Sequence, residues 1–314
     1  MKILFMGTPD FAIPSLRELV DAGEEVVGVI TQPDKPRGRG YELQPTPVKA
    51  FALSRGLDVY QPDTLRSEEF MELLEKLAPE LIAVTAYGKI LPESVLNFPK
   101  YGCINVHGSL LPEYRGAAPM QRAIIDGKSE TGVTIMYMAK GLDTGDMLLV
   151  EKCPINDTDN FEDIHDRLSQ MGAVALVKAA RDIEAGRAVR VKQDDALATY
   201  AAKIEKSDCA IDFSRSAKEV HDLIRGLSPI PLSFTKTPDG KLLKILESRV
   251  FDNEKLFGKP GEVICLGDDI CVACGKGALS ILRVLPEGKG RMSAADFVRG
   301  RKISVGDILL STVK

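Results

Sequence analysis

Over the first 155 residues, short apolar runs alternate with stretches in which apolar side chains recur every three or four positions. Residues 2–6 (Lys-Ile-Leu-Phe-Met) are closed by Gly7, Thr8 and Pro9, and from about 11 to 22 the pattern becomes amphipathic at helical spacing. Such a change of period predicts a buried strand feeding a helix. The same alternation predicts strands over 25–30 and 57–60, a helix N-capped by Ser67 and reaching Leu77, and a central strand over 81–86. That last run, Leu-Ile-Ala-Val-Thr-Ala, is nearly apolar throughout, as expected of a strand covered on both sides in a parallel sheet. Residues 103–106, 133–138 and 147–150 extend the sheet, and 161–185 read as a long closing helix. Strands separated by helices predict βαβ units with right-handed crossovers, hence an α/β domain on a parallel sheet.

From 189 to 206 the pattern turns polar and offers no core face, which predicts a linker. Beyond it, 217–226 is helical. Apolar runs then follow at 242–246, 262–266, 270–273 and 278–285, with a hairpin turn at Pro238, Asp239 and Gly240. Strands spaced by about 8–12 residues predict a small β-barrel. At 314 residues the chain exceeds the usual domain of about 100–200. The organisation expected is an α/β domain over 1–188, a linker over 189–207 and a barrel domain over 208–314.

No run approaches the roughly 18 apolar residues of a membrane span, and the short apolar start is unlike a signal peptide. Six cysteines in a chain of this length do not form a disulfide framework, so the expected setting is the cytoplasm with reduced thiols. The net charge of −4 is uneven: residues 208–314 carry 17 Lys and Arg against 14 Asp and Glu, leaving 24 against 31 before them. A net +3 after a net −7 admits a nucleic-acid partner as well as an ordinary solvated face.

The first strand-to-helix turn, Gly7-Thr8-Pro9-Asp10-Phe11, lacks the later glycines of a dinucleotide fingerprint, which disfavours a nicotinamide cofactor. The segment Asn105-Val106-His107-Gly108-Ser109-Leu110-Leu111-Pro112 is more informative. Side chains alternate along a strand, so Asn105 and His107 share a face at the C-terminal end of a central strand, where open α/β sheets bind ligands. An amide beside an imidazole can hold one developing oxyanion and move one proton. In isolation an Asn-x-His pair also suits a structural histidine. Asp143, in Gly141-Leu142-Asp143-Thr144-Gly145-Asp146, lies in a turn between two strands and gains a role only if it faces His107, whose ring it would then orient. Residues 31–50 form a long proline-rich loop holding Lys35, Arg37, Arg39 and Lys49, expected to have no secondary structure of its own. Cys271 and Cys274, with Cys265 nearby, could be a redox or zinc element, but with no neighbouring His no metal is expected.

The segments 105–112, Tyr114-Arg115-Gly116-Ala117-Ala118-Pro119 and 141–146 closely resemble the folate-dependent formyltransferases. Residues 5–12 (Phe-Met-Gly-Thr-Pro-Asp-Phe-Ala) and 31–40 (Thr-Gln-Pro-Asp-Lys-Pro-Arg-Gly-Arg-Gly) narrow the resemblance to the members that formylate methionyl-tRNA. It extends over essentially the whole chain. The fold it implies is a Rossmann-like formyltransferase domain followed by an OB-like barrel that binds tRNA. It implies 10-formyltetrahydrofolate as donor, the α-amine of methionine on initiator tRNA as acceptor, and no metal. It assigns Asn105 to the oxyanion, His107 to the proton and Asp143 to orienting His107. It places the folate among Tyr87, Gly88, Ile90, Leu91, Ser109, Leu110, Leu111 and Pro112, and tRNA phosphates against Lys35, Arg37 and Arg39. A monomer without an obligatory protein partner and without a membrane is expected. Two other readings stay open on the residues alone: a formyltransferase acting on a small amine, and a nucleic-acid-binding protein with an inactive α/β domain.

Overall fold

Residues 1–37, 42–300 and 302–310 are described by a computed structural model of the chain. The strands in chain order are β1 Lys2–Gly7, β2 Glu25–Ile30, β3 Lys35–Arg37, β4 Glu42–Gln44, β5 Val59–Tyr60, β6 Leu81–Thr85, β7 Cys103–His107, β8 Arg115–Gly116, β9 Glu130–Tyr137 and β10 Met147–Pro154. They continue with β11 Tyr200–Ala201, β12 Ser233–Lys236, β13 Leu242–Asp252, β14 Val263–Leu266, β15 Ile270–Ala273, β16 Ala278–Pro286 and β17 Met292–Ser293. The helices are α1 Ile13–Asp21, α2 Pro47–Ser54, α3 Glu68–Leu77, α4 Glu93–Leu96, α5 Pro119–Ile125, α6 Phe161–Glu184, α7 Ala217–Gly226 and α8 Ala294–Arg299.

Two compact units form. The first comprises residues 1–116, 131–154 and 165–200. Its sheet has the order β10-β9-β7-β6-β1-β2-β5. β7, β6, β1, β2 and β5 run parallel, and β9 lies antiparallel to β7. The chain leaves β1 toward β2 and later returns to place β6 on the other side of β1, so the sheet order reverses between β1 and β6. Crevices at such reversals, beyond the carboxyl ends of the strands, are where α/β sheets take ligands. All five residues of β6 are buried, as its apolar run requires, and one core is built from Leu4, Met6, Ile30, Phe70, Leu74, Ile82 and Val84.

The stretch 31–50 departs from the expected unstructured loop. β3 and β4 pair as an antiparallel hairpin, and α2 begins at Pro47 with the Thr46 hydroxyl accepting from Lys49 N. Proline at the first helical position and threonine at the N-cap are a strong start signal even for eight residues.

The second unit comprises 117–130, 155–164 and 201–314. Strands β12-β13-β16-β15-β14 form one antiparallel sheet, with β17 pairing to β16. Leu310 bridges to Lys236 on β12 and Ile308 bridges to Glu262 beside β14, so the same segment joins both edges and closes the sheet into a small barrel. Its core takes Ile245, Val263, Val272, Leu279 and Ile281 together with Ile224 of α7. The turn at Pro238-Asp239-Gly240 joins β12 to β13, with Gly240 at φ 82°.

α7 carries a buried polar cluster. Asp222 accepts from Arg225 Nε at 2.7 Å and from Lys218 Nζ at 2.7 and 2.8 Å, while Arg225 Nη1 reaches the carbonyls of Asn156 and Asp159. His221 lies between Ser248 Oγ and the Asp157 carbonyl, and burial holds its ring below the usual imidazole range. One expectation on thiols is corrected here. The β14–β15 register sets Cys265 opposite Cys271 and their sulfurs are bonded, whereas Cys274 is free and buried. The expectation of reduced thiols therefore does not hold for this pair, because the spacing along the chain says nothing of which cysteines face each other across two strands.

Candidate active site

β7 brings two polar side chains to the C-terminal edge of the first sheet. Its Ile104 and Val106 are buried, Asn105 is half-buried, and His107 ends the strand at 6% exposure. Asn105 stands in register between Val84 on β6 and Met136 on β9. His107 Nε2 lies 3.0 Å from the Tyr114 carbonyl. That oxygen only accepts, so Nε2 carries a proton and Nδ1 is the nitrogen left to exchange one. Nδ1 is 3.7 Å from Asp143 Oδ2. The structure thus brings Asp143 to His107, the condition under which the carboxylate could orient the ring.

Asp143 Oδ2 accepts from Gly116 N at 2.8 Å. The Asp143 backbone is left-handed at φ 51°, a conformation uncommon for a residue with a side chain. The turn closes tightly: a Cβ on Gly145 would fall 1.7 Å from the Tyr137 carbonyl. The loop after β7 is also pinned. Thr134 Oγ1 on β9 donates to the Ser109 carbonyl at 2.7 Å and accepts from Leu111 N at 3.2 Å, while Ser109 Oγ donates to the Glu113 carbonyl.

The loop after β6 lies beside it, because β6 and β7 are neighbours. Its Tyr87 ring is in the core at 1% exposure, where burial pushes the phenol up to about 12 and the hydroxyl finds no partner among the described residues. The Tyr87 carbonyl accepts from Thr8 Oγ1 and Gln32 Nε2, both at 2.9 Å. Tyr87 therefore supports the loop from within. Leu91, Ser109 and Leu111 are buried as well, whereas Ile90 is 85% exposed, Gly88 is exposed and Leu110 and Pro112 are half-buried. Accessible surface in the two loops comes from the second group.

Lys49 is not free for a ligand: its ammonium bonds Asp34 at 2.6 Å and Gln61 at 2.7 Å, and the Lys49 and Gln61 hydrogen bonds hold the Asp34 carboxyl below its usual range. Lys35 is exposed on the hairpin. The Arg37 backbone belongs to β3, while its side chain and the whole of Arg39 lie outside the described residues. A cavity of about 290 Å³ opens at the ends of β1 and β2, lined by Thr8, Asp10, Gln32, Lys35, Thr46 and several prolines. Among the described residues no group of three or more His, Cys, Asp or Glu is placed to hold a metal, and no helix is long and apolar enough to cross a membrane.

Sequence reasoning met Thr8, Gln32 and Arg115 only inside motifs, without a role, and missed Thr134 and Gln193. Arg115 is 2% exposed and Gln193 4%. Gln193 Nε2 donates to the carbonyls of Asp143 and Gly145, both at 2.8 Å, and its Oε1 accepts from Arg115 Nε at 3.0 Å. Position 193 stands in a polar stretch without periodicity, and a buried amide bonded to carbonyls leaves no pattern to detect.

Residues 1–180 match the family model described as formyl transferase, and 203–302 match the formyl transferase C-terminal domain. A methionyl-tRNA formyltransferase of Geotalea daltonii is 50% identical over 307 residues, covering 98% of this chain and 97% of that protein. One from Lachnospira eligens is 47% identical over 314 residues, covering 98% and 99%. Among solved structures, the sugar 3N-formyl transferase WlaRD, crystallised with dTDP and 5-N-formyl-THF, superposes at TM-score 0.67 with 19% identity over 92% of this chain and 99% of that one. HypX from Aquifex aeolicus, in complex with tetrahydrofolic acid, superposes at TM-score 0.62 with 19% identity, covering 95% of this chain and 47% of HypX.

Proposed function

This chain belongs to the formyl transferase family, and on that premise we propose that it transfers the formyl group of 10-formyltetrahydrofolate to the α-amine of methionine on initiator tRNA. The likeness to methionyl-tRNA formyltransferases over nearly the whole chain supports the choice of acceptor. The observation that carries the chemistry is the 3.7 Å approach of Asp143 Oδ2 to His107 Nδ1, with Asn105 two residues back on the same strand. The residues present suit a folate: exposed Gly88 and Ile90 and half-buried Leu110 and Pro112 offer backbone and apolar surface for a flat ring, over a loop held from beneath by Tyr87, Thr8 and Gln32.

The amine nitrogen bonds to the formyl carbon, the bond from that carbon to N10 breaks, one proton leaves the amine and one ends on N10. The Asn105 amide donates to the oxygen on which charge develops. His107 moves the proton through Nδ1, with Nε2 anchored on the Tyr114 carbonyl. Asp143 sets the ring's orientation and is itself set by Gly116 N. Catalysis then belongs to the 1–188 region.

Lys35, Arg37 and Arg39 face the acceptor's phosphates, and the barrel adds its net positive charge. Neutralising the three residues together should weaken methionyl-tRNA use and flatten the dependence of KM on salt, because fewer counterions are released on binding. Thermal stability should hardly move for the Lys35 change, since its exposed charge contributes little to it. An unchanged salt slope would put the phosphate contacts elsewhere. The enzyme works in the cytoplasm as a monomer without an obligatory protein partner, which sedimentation at assay concentration checks. The reaction is tested by offering labelled formyl donor with methionyl initiator tRNA, with free small amines, or with neither. Label on small amines but not on the tRNA would refute the acceptor.

A further inference from the structure

We infer that Gln193 is a positioning residue for the formyl transfer, holding the turn that presents Asp143 to His107; the inference rests on the reading of the site given above. Three hydrogen bonds to one buried amide define the arrangement. Its two N–H groups reach the carbonyls of Asp143 and Gly145, both at 2.8 Å, and its oxygen accepts from Arg115 Nε at 3.0 Å. Arg115 is anchored in turn by Asp195 at 2.7 Å. The next residue along, Gly116, donates its N–H to Asp143 Oδ2. The carboxylate and the carbonyl of Asp143 are therefore both referred to the Arg115–Gly116 strand, one directly and the other through Gln193.

Residue chemistry makes position 193 selective. Only an amide donates twice and accepts once: glutamate cannot donate to the carbonyls, lysine cannot accept from the guanidinium, and asparagine is one methylene short. The restraint matters because Asp143 sits in the left-handed region without being glycine, so its backbone has a lower-energy alternative once released. That alternative would carry the carboxylate away from the 3.7 Å approach to His107 Nδ1. A displacement of about 1 Å in such a group is enough to cost a large factor in rate.

Full-length Gln193→Ala, Gln193→Glu, Asp143→Asn and the Gln193→Ala/Asp143→Asn pair are compared in single-turnover transfer from 10-formyltetrahydrofolate to methionyl initiator tRNA. Gln193→Glu keeps the acceptor for Arg115, removes both donors and adds a negative charge, whereas Gln193→Ala removes donors and acceptor without adding one. Both Gln193 variants should lose about tenfold or more in the saturated rate, with KM for either substrate within about threefold of wild type. The pair should be no slower than Asp143→Asn alone, because Gln193 acts through that residue. Wild-type rates in both Gln193 variants beside an impaired Asp143→Asn overturn the inference and leave the reading of the site intact. An unimpaired Asp143→Asn sinks that reading instead. Multiplied defects in the pair, or failure of both Gln193 variants to fold by circular dichroism, mean that Gln193 supports something other than this turn and overturn the inference.

Discussion

Alanine at Asn105 or at His107 lowers the single-turnover rate of formyl transfer by about two orders of magnitude or more, while donor binding survives. Removing one preorganised donor to a developing oxyanion costs roughly 2.7–4 kcal/mol of transition-state stabilisation, a factor of about 10²–10³. Asn105 is half-buried between Val84 and Met136, both in the sheet, so truncating it removes little of the core. His107 is buried, and its loss removes the Nε2 hydrogen bond to the Tyr114 carbonyl, at about 0.5–1.5 kcal/mol of stability. His107→Gln is the control, since its amide can still donate to that carbonyl yet cannot exchange a proton at neutral pH. Rapid-quench transfer and equilibrium dialysis of the folate separate rate from binding. A near wild-type rate in any of the three variants removes that residue from the chemistry.

The parts of this molecule that were legible in its sequence are those with a long or repeated pattern. The strand at Glu25–Ile30 and the helix at Ala217–Gly226 have the bounds that periodicity predicts, and Ser67 caps α3 by accepting from Phe70 N. β7 was legible because its apolar run ends in two residues of distinct chemistry. α5 was not, since seven residues beginning at a proline carry too little periodicity. Nor does local pattern announce that α5 clusters with the C-terminal unit, where Gly226 of α7 leaves no space for a Cβ beside Ile125. The proposed roles of Asn105, His107 and Asp143 could be suspected from two motifs and the family they resemble, but the network around them could not. Asp143, Arg115 and Gln193 meet through one side-chain pair, Arg115 Nε to Gln193 Oε1, and through the Gly116 N–H and the Asp143 carbonyl, backbone groups that every such residue possesses and no sequence displays.

Removal of the Asp222 carboxylate should be the most destabilising single change in the buried cluster of the second unit. Asp222→Ala leaves Arg225, itself only 6% exposed, with two carbonyls and no counter-charge. Breaking a buried pair from one side typically costs about 3–5 kcal/mol. Arg225→Ala should cost less, because Lys218 still bonds both Asp222 oxygens and reaches solvent with the rest of its side chain. Replacing Asp222 and Arg225 together by leucine should cost less than Asp222→Ala, since no charge is left buried and apolar volume fills the site. At roughly 2–8 °C per kcal/mol for units of this size, scanning calorimetry resolves the three variants. Low salt should not rescue Asp222→Ala, as the lost interaction is buried and poorly screened. An Arg225→Ala protein less stable than Asp222→Ala would mean that the guanidinium's bonds to Asn156 and Asp159, rather than its charge pairing, hold α7 to the 155–164 segment.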